Sequence, residues 1–245
     1  MNDVAQLFRQ VRYNNKAFWR NPASAFFTFA FPIMFLVIFN GIFGQSQFFV
    51  PAIAAFSIIT ACYTNIAITV VFLREQGVLK RVRGTPISSV SYLVGRIIHS
   101  VLMAYLLVAI VSVFGAVFYK VDLPTHTMVP FLVTIAVAGA SFCSMGLAMT
   151  ALVPNEDAAP PIVNALIIPL AFVSDIFVPT DQIPGWLEKV ADFFPLKHIA
   201  VAMGTAFNPP PGSSGWEPGH LLIVVIWGVA ALLLSIKFFR WEPRR

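Results

Sequence analysis

Between Arg20 and Arg74 the chain carries no charged residue, and the run from Asn21 to Leu73 is far longer than one membrane crossing requires. A helix rises about 1.5 Å per residue, so about 20 apolar residues cover a hydrocarbon core of about 30 Å. Gly41, the stretch Gly44-Gln-Ser-Gln47 and Pro51 punctuate the run and divide it into two helices, over about 25–43 and 51–73. The same ruler marks about 97–118, 129–152, 161–178 and 220–238, bounded by Lys120-Val-Asp122, by Pro154-Asn-Glu-Asp157 and by a long segment containing Pro and Gly. The expectation is an all-α polytopic membrane protein with six transmembrane helices in a single domain over 1–245. Composition agrees, with 58% hydrophobic and 11% charged residues against about 25% charged in soluble domains.

The positions of Lys and Arg set the orientation. Arg9, Arg12, Lys16 and Arg20 precede the first span, Arg74, Lys80, Arg81, Arg83 and Arg96 lie in the 74–96 loop, and Lys237, Arg240, Arg244 and Arg245 end the chain. With six spans these regions share one side and hold thirteen of the sixteen basic residues, leaving Lys120, Lys189 and Lys197 opposite. The basic side is expected to be the cytoplasm, which places both termini there and makes this a multi-pass protein of the plasma (cytoplasmic) membrane. The net charge of +5 then reflects topology and anionic membrane lipid rather than nucleic acid, because the basic residues sit beside apolar runs. Cys62 and Cys143 fall inside such runs and read as small hydrophobes rather than a disulfide, redox or metal pair.

Three segments carry patterns that spanning does not require. In residues 1–24, Val4, Leu7, Phe8 and Val11, with Phe18 and Trp19 further on, recur at helical spacing beside the four basic residues. This segment is either an amphipathic helix on the inner membrane surface or a basic topology anchor. The apolar run after it is too long for a signal-peptide core and no small-x-small site follows, so the segment is expected to remain. In the 74–96 loop, Val78, Leu79 and Val82 form a stripe while Lys80, Arg81 and Arg83 point elsewhere; Gly84 suits a helix end, Thr85-Pro86 prevents continuation, and Ser88 or Ser89 can cap the next helix. A short amphipathic helix follows, resting on lipid or docking on a partner. The outer loop over 179–219 holds Pro179, Pro184, Pro195 and Pro209-Pro-Pro-Gly212, with Ile183, Trp186, Leu187, Val190, Phe193 and Phe194 at helical intervals. One or two short helices are expected there, dipping into the outer leaflet or lying on it, and re-entry is allowed only where protein surrounds the backbone.

The stretch Glu75-Gln-Gly-Val-Leu-Lys-Arg-Val-Arg-Gly-Thr-Pro86, followed by Tyr92-Leu-Val-Gly-Arg96, resembles the loop before the third span in the ABC transporter type-2 permeases. Ile168-Pro-Leu-Ala-Phe-Val-Ser-Asp-Ile-Phe-Val-Pro179, then Ile183-Pro-Gly-Trp-Leu187 and Pro195, is similar to the fifth-span and outer-helix motif of the same family, above all its daunorubicin-type antibiotic-export branch. Asp175 stands where that branch commonly carries asparagine. The resemblance implies the type-2 ABC exporter (ABCG-like) fold, in which a second permease chain, expected to be the same, and two copies of a separate ABC ATPase subunit complete the transporter. ATP and Mg would be bound by that ATPase and no cofactor or metal by this chain, which is not expected to be an enzyme by itself. No glycine here is followed by lysine, so no phosphate-binding loop of the Gly-Lys type exists. The resemblance further implies a cytoplasmic coupling helix seated in an ATPase cleft, with Val78, Leu79 and Val82 inside it and Glu75, Lys80, Arg81 and Arg83 at its rim. The Glu156-Asp157 turn and the N-terminal helix are weaker candidates for the same contact.

In such permeases the second and fifth spans line the route between protomers. There Phe56, Thr60, Asn65, Asn164 and Phe172 offer aromatic surface with a few polar groups, as a site for amphipathic small molecules would; interhelical packing is the alternative for each. Asp175 is either an exit-side charge or a structural partner of the outer helices, for example of Lys189, Lys197 or His198. Pro32 and Pro169 are positions where spans can bend. The expected function is the permease subunit of an ATP-driven exporter that moves a hydrophobic or amphipathic small molecule, drug-like or lipid-like, outward by alternating access. An ion-coupled secondary transporter is the alternative, but it needs ionisable residues deep in several spans, where this chain has only His99 and the peripheral Asp175. A membrane enzyme needs clustered catalytic groups, whereas His99, His126, His198 and His220 are scattered.

Overall fold

The structure, a computed structural model, describes residues 3–84, 89–179 and 184–242, and the regular structure among them is helical. In chain order the helices are α1 (Asp3–Trp19), α2 (Pro22–Phe43), α3 (Ser46–Ile59), α4 (Asn65–Glu75), α5 (Val78–Arg83), α6 (Ser89–Tyr119), α7 (Met128–Met149), α8 (Ala159–Val173), α9 (Gly185–Phe193), α10 (Pro195–Phe207) and α11 (Pro218–Phe238). A π-helical turn, Thr60–Thr64, joins α3 to α4, so Ser46–Glu75 forms one rod. Five helical segments are long and apolar enough to cross a membrane: Ala25–Phe43, Ser46–Glu75, Ser91–Tyr119, Met128–Met149 and Pro218–Phe238. The sixth expected crossing corresponds to α8, whose 15 residues reach about 22 Å, short of a hydrocarbon core of about 30 Å.

Two of the boundaries that differ from the expected ones do so for identifiable reasons. The second span begins at Ser46 and not at 51, with Pro51 inside the helix. Proline has no N–H to give the carbonyl four residues back, and here that carbonyl, of Gln47, accepts a hydrogen bond from Asn208 Nδ2 at 2.7 Å. A distant side chain thus supplies the bond the helix lacks. The fifth apolar run ends as helix at Val173 rather than continuing to 178, because Asp175 adopts a left-handed conformation with φ of 55°. The chain then folds back: the Phe177 N–H donates to the Ala171 carbonyl at 3.2 Å, and Ile176 and Phe177 are buried.

The Ser46–Glu75 rod and α7 run in the same direction at the centre of the bundle and are the most buried long segments. Small residues set how closely helices approach. A side chain at Gly146 of α7 would lie 2.7 Å from the Tyr63 carbonyl in the π-helical turn, and one at Gly228 of α11 would lie 2.8 Å from the Ser141 Cα. Cys62 donates its thiol to the Ser100 carbonyl at 3.7 Å and Cys143 is buried beside it, consistent with small apolar packing units.

The helices α9 and α10 form a hairpin that packs along α11. Trp227 Nε1 donates to the Phe193 carbonyl at 3.0 Å and its ring stacks on Phe194. Trp227 lies nine residues into α11, so the tip of the hairpin sits about 13 Å below the start of that helix. The return arm, α10, is almost wholly buried, packing on α3, α7 and α11, while Trp186, Val190 and Phe193 of α9 remain exposed. Protein thus surrounds α10, while α9 lies on the surface of the bundle. Ile183 lies outside the described residues.

The close approach at Gly146 carries a prediction. Gly146→Ala is expected to lower stability by about 1–3 kcal/mol through overpacking, whereas Gly41→Ala, with nothing within 4 Å, leaves it unchanged or raises it. Thermal unfolding of the two variants in detergent distinguishes them.

Candidate functional site

The basic end of the bundle is organised around Arg74, which is 1% exposed. Its Nε donates to Glu75 Oε1 at 2.7 Å, Nη1 to the Thr150 carbonyl at 2.9 Å, and Nη2 to the carbonyls of Val153 at 2.8 Å and Pro154 at 3.5 Å. These carbonyls follow Met149, the last residue of α7, where a helix leaves C=O groups without intrahelical donors and its dipole favours a cation. A planar guanidinium with five N–H donors can bridge several acceptors at once, and Glu75 balances its charge. Arg74 thus fastens the end of α4 to the loop between α7 and α8. Asn155 Oδ1 then accepts the Ala158 N–H at 2.9 Å, which starts the turn into α8.

The short helix α5 hangs directly from this clamp. Gly77, with φ of 69°, supplies the left-handed residue that turns the chain out of α4; Gly84 is the C-cap of α5, the helix end expected there, with a right-handed φ of −81°. The apolar stripe of α5 faces the chain's own bundle. Leu79 is wholly buried in the core, Val82 is half-buried against it, and Val78 is half-buried. Leu79 is therefore buried within its own chain, a correction to the orientation that the family resemblance implied. Periodicity defines a face but not what that face meets, and the nearest apolar surface is the bundle. Lys80 and Arg81 point outward. Lys80 lies 3.7 Å from Glu242 of the C-terminal segment, both well exposed, and Arg81 Nη2 reaches the Gln76 carbonyl at 3.5 Å. The Arg83 side chain, Thr85, Pro86 and the cap at Ser88 or Ser89 lie outside what is described.

The predicted path residues do not form one site. Phe56 and Phe172 are brought together by Phe177, whose ring lies 4.9 Å from Phe56, 5.1 Å from Phe172, 5.4 Å from Phe35 and 5.0 Å from Phe39. Phe56 and Phe177 are buried, whereas Phe172 is 44% exposed, so the cluster opens onto the surface of the bundle. The Thr60 hydroxyl is spent on the Ser57 carbonyl at 3.1 Å, and Asn164 is half-buried on α8. Asn65 lines a separate cavity with Asn14 and Arg96. At the opposite end Asp175 lines a cavity of about 320 Å³ with Gln47, Thr205 and Asn208. Lys197, proposed as a partner for Asp175, instead holds Asp192 at 2.7 Å and Glu188 at 3.1 Å across the hairpin. Burial opposes the Lys197 charge, but the hydrogen bonds to Asp192 and Glu188 outweigh it and raise its pKa above the ordinary lysine value. His198 donates from Nε2 to the Asp192 carbonyl at 2.9 Å, so its Nδ1 accepts from His220 Nδ1, 2.7 Å away.

The sequence profile of the family described as ABC-2 type transporter matches residues 5–207, from α1 through the whole of α10. The chain belongs to the ABC-2 type transporter family. Individual relatives agree. Over 219 residues, 86% of this chain and 76% of the relative, it is 25% identical to the daunorubicin resistance ABC transporter permease protein DrrB1 of Streptomyces coeruleorubidus. It is 21% identical over 251 residues, 96% of this chain and 82% of the relative, to the putative transport permease ycf38 of Porphyra purpurea. It is 31% identical over 110 residues, 44% of this chain and 41% of the relative, to nodulation protein J of Rhizobium leguminosarum bv. viciae.

The ABC-2 family is the transmembrane permease component of ABC transporters, and this chain is a multi-pass membrane protein of that kind. Within this permease, Arg74 and Phe177 are the organising residues that sequence reading passed over. Arg74 counted only as a topological charge; its place four residues before the stripe was the available signal. Phe177 lay beyond the break at Asp175 and gave no sign of turning back. Arg74→Leu would strand three carbonyls and Glu75, and is expected to cost about 3–5 kcal/mol. Lys80→Gln loses only an exposed pair worth about 0–1 kcal/mol. Denaturant or thermal unfolding in detergent measures both.

Proposed function

We propose that this chain is the permease subunit of an ATP-driven exporter, moving a hydrophobic or amphipathic small molecule, antibiotic-like, drug-like or lipid-like, out across the plasma membrane by alternating access. The observation that carries the reading is the ABC-2 family match over residues 5–207. Relatives named for daunorubicin resistance and as a probable multidrug ABC transporter permease, the latter YbhR of Escherichia coli, support a drug-like substrate class. In this reading a second permease chain, expected to be identical, and two copies of a separate ATPase that binds ATP and Mg complete the machine. The basic end faces the cytoplasm with both termini, and α8 together with the turn through Phe177 serves as the sixth crossing.

The geometry supports a specific division of labour in coupling. Leu79 and Arg74 anchor α5 to the bundle, while Lys80 and Arg81, with Val78 beside them, offer the surface the ATPase engages. Glu75 acts through Arg74 rather than at the rim. The cluster of Phe56, Phe172 and Phe177 is the proposed apolar lining, and Asp175 with its cavity the proposed exit.

Copurification with a separate soluble ABC ATPase, and stimulation of ATP hydrolysis by daunorubicin-like amphiphiles in liposomes, are expected. The double variant Lys80→Glu, Arg81→Glu is expected to lose ATPase association while keeping wild-type thermal stability, since both side chains are exposed. Ion-driven flux by the purified chain without any ATPase would contradict the reading.

A further inference from the structure

At the basic end, α1, α4 and α6 enclose a cavity of about 280 Å³ that the transport reading leaves without a role. Its lining includes Asn14, Asn21, Asn65, Arg96, His99 and Ser100, and no carboxylate contributes to it. Asn14 is 8% exposed, and its Oδ1 accepts from Gln10 Nε2 at 3.3 Å. Asn14 lines the cavity, and its Nδ2 is covered by protein atoms with no hydrogen-bond partner in the chain. Asn65 shows the same polarity, because its Oδ1 is taken by the Thr69 hydroxyl at 2.9 Å, which leaves its amide nitrogen as the donor. Arg96 adds a guanidinium whose position is fixed over the Tyr92 ring at 5.8 Å, and among the described residues no carboxylate lies within ion-pair distance of it. Donors converge here around one unpaired cation.

We propose that this cavity binds the phosphate-type headgroup of an anionic membrane lipid from the leaflet at the basic end. A guanidinium with flanking amide donors matches phosphate oxygens in geometry and charge. The volume lies just below the range of about 300–1,000 Å³ typical of pockets that enclose whole drug-sized ligands, so it suits a headgroup rather than an entire amphiphile. Arg96 lies five residues past Ser91, the first residue of its apolar span, a rise of about 8 Å that matches headgroup depth. The cavity is walled by Phe18, whose ring packs against His99 at 6.3 Å and against Trp19 and Phe29. Trp19 and Phe29 in turn border an apolar groove along α2 with Phe26 and Ile33, a bed for an acyl chain that a soluble anion would not need. The exposed Arg9, Arg12, Lys16 and Arg20 of α1 raise the local concentration of anionic lipid. The site exists only because α1 seats on α6, where a side chain at Gly95 would lie 2.7 Å from Gln10 Cγ.

This inference stands apart from the transport reading and is tested without an ATPase. The full chain is purified in detergent, exchanged against an equal mixture of phosphatidylglycerol and phosphatidylcholine, and bound lipid is counted by native mass spectrometry. The wild-type protein is expected to retain phosphatidylglycerol in preference to phosphatidylcholine. Arg96→Gln is expected to reduce that preference by about tenfold, as one charge-assisted contact would. Asn65→Leu, which keeps the side-chain size and removes the amide donor without adding a charge, should also lower the preference and guards against misfolding of the arginine variant. Lys16→Gln, on the outer surface of α1, should leave the preference in place. Equal retention of both lipids in the wild type, or a preference unchanged in both cavity variants, would overturn the proposal. Displacement of the lipid by millimolar inorganic phosphate alone would overturn the lipid assignment and leave a soluble anion as the ligand.

Discussion

One buried guanidinium holds the basic end of this permease together. Burying an unpaired charge is costly, and the cost is met only when acceptors and a counter-charge are already in place. Arg74 finds them in the open carbonyls after α7 and in Glu75, its own neighbour. The consequence reaches beyond local stability. A helix of six residues such as α5 has no independent stability, so its position is set by the clamp on one side and by Leu79 in the core below. The end of α4, α5 and the loop after α7 therefore form one body.

That body continues into the central helical rod. From Glu75 the rod runs back through the π-helical turn to Ser46 at the other end of the bundle. Gly146 brings α7 against the backbone of that turn, which keeps the two central helices in register. At the far end, the carbonyl released by Pro51 is taken by Asn208, just past α10, so the rod is bonded directly to the end of the α9–α10 hairpin. A displacement of α5 thus has a continuous covalent and hydrogen-bonded route to the region around Asp175. Wide helical turns of this kind recur where helices change pitch during function.

Much of this architecture was legible in the sequence because membranes impose a length and a charge rule. The charge-free runs pointed to an all-helical chain with several segments able to cross a membrane, although the second starts at Ser46 rather than 51 and the third at Ser91 rather than 97, and the basic loop marked where α5 sits. What stayed hidden depended on contacts between distant residues. The early start at Ser46 rests on Asn208, the short α8 on the backbone conformation of Asp175, and the depth of the hairpin on Trp227. The spacing of Val78, Leu79 and Val82 announced a helix and its apolar face, yet could not say that the face would be consumed internally. Of the proposed path residues, Phe56 and Phe172 do meet, but through Phe177, and Asn65 belongs to a different cavity.

The central claim is that Arg74 makes α5 and the loop after α7 move as one unit. It is tested by spin-label distances between Gly84→Cys at the end of α5, which is exposed and outside the proposed ATPase contact, and Asn155→Cys in the loop, on a Cys62→Ala, Cys143→Ala background, in complex with the ATPase proposed above. A single narrow distance that stays the same with and without nucleotide, and that broadens in Arg74→Leu, is predicted. A nucleotide-dependent change in that distance in a transport-competent complex carrying the native Arg74 would contradict the account.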